Sequence, residues 1–108
     1  MVTDERIHAV TAWMHTEFGA RIKVSAMARR LGVSGSRFAH AFKAATGTTP
    51  ARYLKRVRLS VAAALLSYTP LRIKEITVKV GFVNNGHFVR EFRKAYGLTP
   101  SEFRRRTT

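Results

Sequence analysis

Cysteine is absent from the 108 residues. That excludes disulfides, CxxC zinc sites and thiol catalysis, and it suits a reducing compartment such as the cytosol. Carboxylates are scarce. Asp4 is the only aspartate, and six acids in all face 20 Lys and Arg. The glutamates are too scattered to suggest a catalytic carboxylate pair. The four histidines (His8, His15, His40 and His87) lack metal-ligand spacing, and neither a Gly-rich phosphate loop nor a Ser/His/Asp set is present. We therefore expect no enzyme, no bound metal and no cofactor. No apolar run reaches about 18 residues, so no membrane span is expected. Met1 to Arg21 lacks the basic-then-apolar order of a signal peptide.

Positive charge is abundant. The formal net charge is +14, and it is unevenly spread. Met1 to Ala20 sets Asp4, Glu5 and Glu17 against Arg6 alone. Arg21 to Thr108 carries all the remaining bases against Glu75, Glu91 and Glu102. Such a density repels itself unless a polyanion neutralises it. Nucleic acid is the commonest such partner; an anionic membrane or an acidic protein is the rival. Apolar residues make up 45% of the chain, enough for a modest core.

The chain also repeats itself. Gly32 to Arg56 aligns with Gly81 to Arg106. Phe38 matches Phe88, Phe42 matches Phe92, Gly47 matches Gly97, Pro50 matches Pro100 and Tyr53 matches Phe103. Upstream, Val24, Met27, Leu31 and Gly32 match Ile73, Ile76, Val80 and Gly81 after a one-residue shift, so the second copy carries an extra turn residue near Val83 and Asn84.

Each copy reads as helix, tight turn, helix. Val24, Met27, Ala28 and Leu31 recur at helical spacing, and Gly32 ends that helix. Ser34 caps the next, whose apolar face is Phe38, Ala41, Phe42 and Ala45, with Gly47 as its end. Copy two repeats this with Ile73, Ile76, Val80 and Gly81, then an Asn84 cap, Phe88, Phe92, Ala95 and Gly97. The phenylalanines, four apart, read as core rather than as stacking platforms. A first helix over Asp4 to Phe18 stops at Gly19. Thr49 and Pro50 open a long helix to about Ser67, with a core stripe of Leu54, Val57, Val61 and Leu65. Thr99 to Glu102 matches a capping box before a short last helix. The expected fold is all-α: seven helices, a first helix-turn-helix subdomain over 1–50, a linker helix over 51–67 and a second subdomain over 68–108. As a helix, 51–67 spans about 25 Å, a strut able to separate two reading heads by something near one DNA turn, about 34 Å.

In a helix-turn-helix the second helix enters the major groove and shows its N-terminal side chains to base edges. The candidate base contacts are Ser36, Arg37, Ala39 and His40 in copy one, and Asn85, Gly86, His87, Val89 and Arg90 in copy two. Arg90 suits a bidentate contact to guanine, with His40 on the equivalent turn. His40 equally suits a phosphate, and His87 equally suits a bracing role before Phe88. Ala39 and Val89 suit thymine methyls. Lys43, Arg93 and Lys94 suit phosphates, joined by Arg52, Lys55 and Arg104; the run Arg104 to Arg106 reads equally as solvated.

The strings ARRLGVS, FKAATGTTPARYLKRVRL, KVGF and HFVREFRKAYGLTPSEFRR resemble the AraC/XylS transcription regulators over about Val24 to Arg106. The resemblance implies two recognition helices in successive major grooves of double-stranded DNA, and promoter binding with activation through RNA polymerase. It also implies a cytoplasmic protein at the bacterial nucleoid. Without a separate sensor domain, the chain looks like short stand-alone members, monomeric on DNA, or like an excised DNA-binding domain. Two departures from the family pattern carry expectations. Lys23 and Arg72 stand where Ser-type caps are usual, each forgoing a cap of about 1 kcal/mol. Thr77 stands where a small Ala is usual, and its bulk is expected to loosen the second unit. Gly35 and Ser36 leave copy one poor in base-specific donors, which favours the competing reading: a charge-driven architectural protein nearly blind to sequence.

Overall fold

A computed structural model describes residues 2–107; Met1 and Thr108, the outer ends of the two expected subdomains, lie outside it. Among the described residues there are seven helices and no strand: α1 (Asp4–Glu17), α2 (Val24–Arg30), α3 (Gly35–Thr46), α4 (Pro50–Tyr68), α5 (Ile73–Lys79), α6 (Asn85–Tyr96) and α7 (Pro100–Thr107).

The helix starts follow from short polar side chains that accept orphan backbone N–H groups. Ser34 Oγ accepts from the Arg37 amide at 3.2 Å and Asn84 Oδ1 from the His87 amide at 2.9 Å. Thr49 Oγ1 accepts from the Arg52 amide at 3.3 Å. At α7 the capping box is complete: the Thr99 amide donates to Glu102 Oε1 at 2.9 Å, and the Glu102 amide donates to Thr99 Oγ1 at 3.2 Å. Those bonds hold the Glu102 carboxyl below its ordinary pKa.

Lys23 and Arg72 provide no side-chain cap, as expected, but the two positions differ. An arginine has no acceptor, so Arg72 cannot serve as one. Instead Glu75 Oε1 accepts from both the Arg72 amide (3.1 Å) and Arg72 Nε (3.0 Å). Half of a capping box thus survives at α5, and the same contacts lower the Glu75 pKa.

One helix end departs from expectation. α1 closes at Glu17 with Phe18 still right-handed, and Gly19 is not in a left-handed conformation. Gly47 and Gly97 do close α3 and α6 at φ of 83° and 77°, where a Cβ is strained. Their amides reach back to the Lys43 and Arg93 carbonyls, each at 2.8 Å.

The chain divides into two units between Val57 and Arg58, inside α4. In the first, α3 packs on α1 and α2, burying Ile7, Val10, Met14, Met27, Ala28, Phe38, Phe42 and Leu54. In the second, α6 packs on α5 and α7, and Ile76, Val80, Phe88 and Phe92 are fully buried. Each fully buried side chain of this size contributes about 1.5–3 kcal/mol. Rings extend both cores: Phe42 meets Tyr53 edge-on at 5.5 Å, and Phe92 meets Phe103 at 5.3 Å.

α4 corrects the expected stripe. Leu54 and Val57 are buried, but the second half buries Leu59, Ala62 and Leu66, leaving Val61 and Leu65 only half-buried. The buried positions change stripe because each half of α4 serves the core of its own unit. The division falls inside α4, so part of that helix lies in each unit.

Candidate nucleic-acid interface

Burial of the Phe pairs decides which side of α3 and α6 remains available. With Phe38 and Phe42 at 0% exposure, as are Phe88 and Phe92, the opposite arc of each helix faces solvent. At about 100° per residue, Gly86, His87, Arg93 and Lys94 fall within about 60° of Arg90. Ser36, Arg37 and Lys43 fall likewise around His40, and all of these residues are exposed. Ala39 and Val89 sit half-buried at the margin of the arc.

Gly86 contributes room rather than contacts. A Cβ there would lie 3.1 Å from Asn84 Oδ1, the capping oxygen, and 3.5 Å from Arg90 Nη1. His87 has two neighbourhoods: it is exposed, yet its ring rests 5.5 Å from that of Phe82, which in turn packs 5.3 Å from Phe88. Lys94 Nζ lies 3.2 Å from Glu91 Oε2, so part of its charge is answered within α6. Copy one has Ala41 and Ala44 at those positions and carries no such pair. Arg52 is exposed on the first turns of α4, with Lys55 half-buried nearby in sequence.

Three side chains are placed differently from the sequence reading. Arg104, expected at a phosphate, is half-buried, and its guanidinium donates to the carbonyls of Leu66 (3.1 Å) and Thr69 (3.2 Å). It closes the C-terminal end of α4, where backbone carbonyls lack helical partners and a cation is favoured. Asn85, grouped with the base readers, falls about 140° from Arg90 around α6. Its Oδ1 accepts a 2.7 Å hydrogen bond from Thr77 Oγ1 instead. Thr77, expected to loosen the second unit, is 1% exposed, and its hydroxyl also lies 2.9 Å from the Ile73 carbonyl. Its bulk is accommodated because its polar atom has partners on both helices. The sequence held a trace of this link, since copy one has Ala28 and Gly35 where copy two has Thr77 and Asn85. The two copies differ at both positions.

Each unit carries ten bases and three acids. Among the described residues no group of three His, Cys, Asp or Glu is placed to hold a metal ion, and no helix is long and apolar enough to cross a membrane.

A family model described as "Helix-turn-helix domain" matches residues 27–106. The chain is 34% identical over 102 residues to the HTH-type transcriptional activator RhaS of Escherichia fergusonii, covering 94% of this chain and 37% of that protein. It therefore spans little more than a third of the length of that relative. Among solved structures, an AraC-type transcriptional regulator from Chromobacterium violaceum superposes with a TM-score of 0.87 at 27% identity, over 96% of this chain and 93% of the other. The DNA-binding domain of the global transcriptional factor AdpA, solved in complex with a target DNA, superposes at 0.89 and 25% identity, over 93% and 90%. On the family match, the repeat and the seven-helix fold together, this chain belongs to the AraC/XylS helix-turn-helix family.

Proposed function

We propose that this chain is the double-stranded DNA-binding part of a transcription regulator, acting as an activator, with α3 and α6 entering successive major grooves. The observation that carries this reading is the matched outward arc on two duplicated helices, with His40 and Arg90 at equivalent positions over equivalent Phe pairs. Arg90 takes guanine O6 and N7 in a bidentate contact, the pairing that best discriminates in the major groove. His40, Ser36, Arg37 and His87 meet base edges, Ala39 and Val89 meet thymine methyls, and the backbone at Gly86 admits a close approach. Lys43, Arg52, Lys55, Arg93 and the unpaired fraction of Lys94 hold phosphates, which sets register and supplies most of the non-specific affinity.

Relatives support the reading: AdpA's domain was solved on a target DNA, and RhaS is named a transcriptional activator. RNA polymerase is the partner such activation requires, the chain binds as a monomer, and the compartment is the bacterial cytoplasm at the nucleoid. One feature favours a less specific reading. α3 opens with Gly35 and Ser36, which offer little to base edges. Selection of bound duplexes from a random pool separates the two readings. A regulator enriches two patches about ten base pairs apart and holds its site against excess random duplex. An architectural protein enriches nothing and loses binding to competitor.

A further inference from the structure

The recognition helices α3 and α6 match in length and in their side-chain oxygen caps, but not in how they are fastened. In copy two the Thr77 hydroxyl, buried on α5, donates to Asn85 Oδ1 on the first residue of α6 at 2.7 Å. In copy one the equivalent positions are Ala28 and Gly35, which have no polar side-chain atom between them. α3 is thus placed by apolar packing and its Ser34 cap, whereas α6 has an additional directional bond at its leading end, the end that meets base edges in a helix-turn-helix. Apolar contact is non-directional and tolerates small rotations. A short hydrogen bond is directional, and displacing α6 forfeits it, leaving the Thr77 hydroxyl only the Ile73 carbonyl of its own helix.

We propose that Thr77 and Asn85 form a latch that fixes the leading turn of α6 on α5, making the second unit the dominant source of base discrimination while the first adapts to varied sequence. Asn85 is then a positioning residue rather than a base reader: the oxygen bonded to a buried hydroxyl is turned toward the protein. This rests on the reading that α6 enters the major groove.

Thr77→Val tests it, since valine keeps the shape and removes the hydroxyl, and the freed Asn85 oxygen, on an exposed residue, is met by water. The variant should lose about three- to tenfold in affinity for the selected site, the range of one hydrogen bond, with affinity for random duplex unchanged. Thr77→Ser should restore the site affinity. Asn85→Ala should give the same loss as Thr77→Val, and the double variant no further loss. In pool selection, sequence preference in wild type should be concentrated in the patch read by α6, and Thr77→Val should blur that patch alone.

Should Thr77→Val fold poorly, Asn85→Ala on the exposed side gives the same readout, with the graft Ala28→Thr with Gly35→Asn as a second arm. No atom lies within 4 Å of a Cβ at Gly35, and the graft should sharpen the α3 patch. A wild type that enriches two equally strong patches overturns the proposal while leaving the function standing. So does an Asn85→Ala loss confined to one base pair and additive with Thr77→Val. A wild type that enriches nothing removes both.

Discussion

Removing the Arg104 guanidinium separates two roles for one arginine. In the structure it donates to the carbonyls of Leu66 and Thr69 at 3.1 and 3.2 Å, where α4 ends without a glycine cap. A hydrogen bond to a charged group contributes about 1.5–3 kcal/mol when well shielded. Arg104 is only half-buried, and water can replace it at both carbonyls once the side chain is gone. The expected cost of Arg104→Ala is therefore about 2 kcal/mol for the pair of bonds, below the sum of two shielded ones. Urea denaturation followed by circular dichroism measures this directly, and a thermal midpoint lower by about 8 °C should accompany it. Arg104→Lys should recover less than half, because an ammonium cannot fork to two carbonyls in fixed geometry. Affinity for random duplex, and its salt slope, should stay unchanged under conditions where the variant is folded. The reasoning is refuted if stability is unaltered while the salt slope falls by about one, the signature of a lost phosphate contact.

Arg90→Ala should cost about 1–3 kcal/mol at the selected site and relax preference at one base pair, read by competition among single-base variants; an equal loss on every duplex would sink the base-reading role. Arg93→Ala should weaken all duplexes alike and lower the slope of log K against log salt by about one, checked by titration at several salt concentrations. Glu75 and Glu102 both have pKa values held below the ordinary 4.5, so each stabilises the fold above that pH and loses the contribution as pH falls through its folded value. Unfolding midpoints measured down through that window should fall less steeply for Glu75→Gln and Glu102→Gln than for the wild type.

What the sequence revealed was local. Ser34, Asn84 and Thr99 as caps, Gly47 and Gly97 as ends, and the Phe pairs as core all depend on neighbours within four residues, so periodicity and capping chemistry were enough to find them. What depends on distant residues is not legible in this way. Val61 and Leu65 continue the spacing of Leu54 and Val57, but which stripe of α4 is buried depends on which unit packs there, and nothing within the helix encodes that. Arg104 sits in an arginine run that reads as a phosphate grip; its bonds reach 38 and 35 residues back along the chain. Thr77 is large for its place in the repeat, and its fit depends on a partner eight residues on, Asn85. The outward arcs around His40 and Arg90 were legible as positions, since burial of one helix face leaves the other open. Which bases they meet depends on the duplex and was never written in the chain alone.

The matched frames of α3 and α6 make the two recognition segments interchangeable parts. Both run twelve residues, both begin on a side-chain oxygen cap, and both close on a left-handed glycine bonded to the carbonyl four residues back. Transplanting the outward residues of one onto the other would need no new start or stop signal. New target sites could therefore arise by shuffling solvent-facing letters within a fixed cassette, with each half drifting at its own pace.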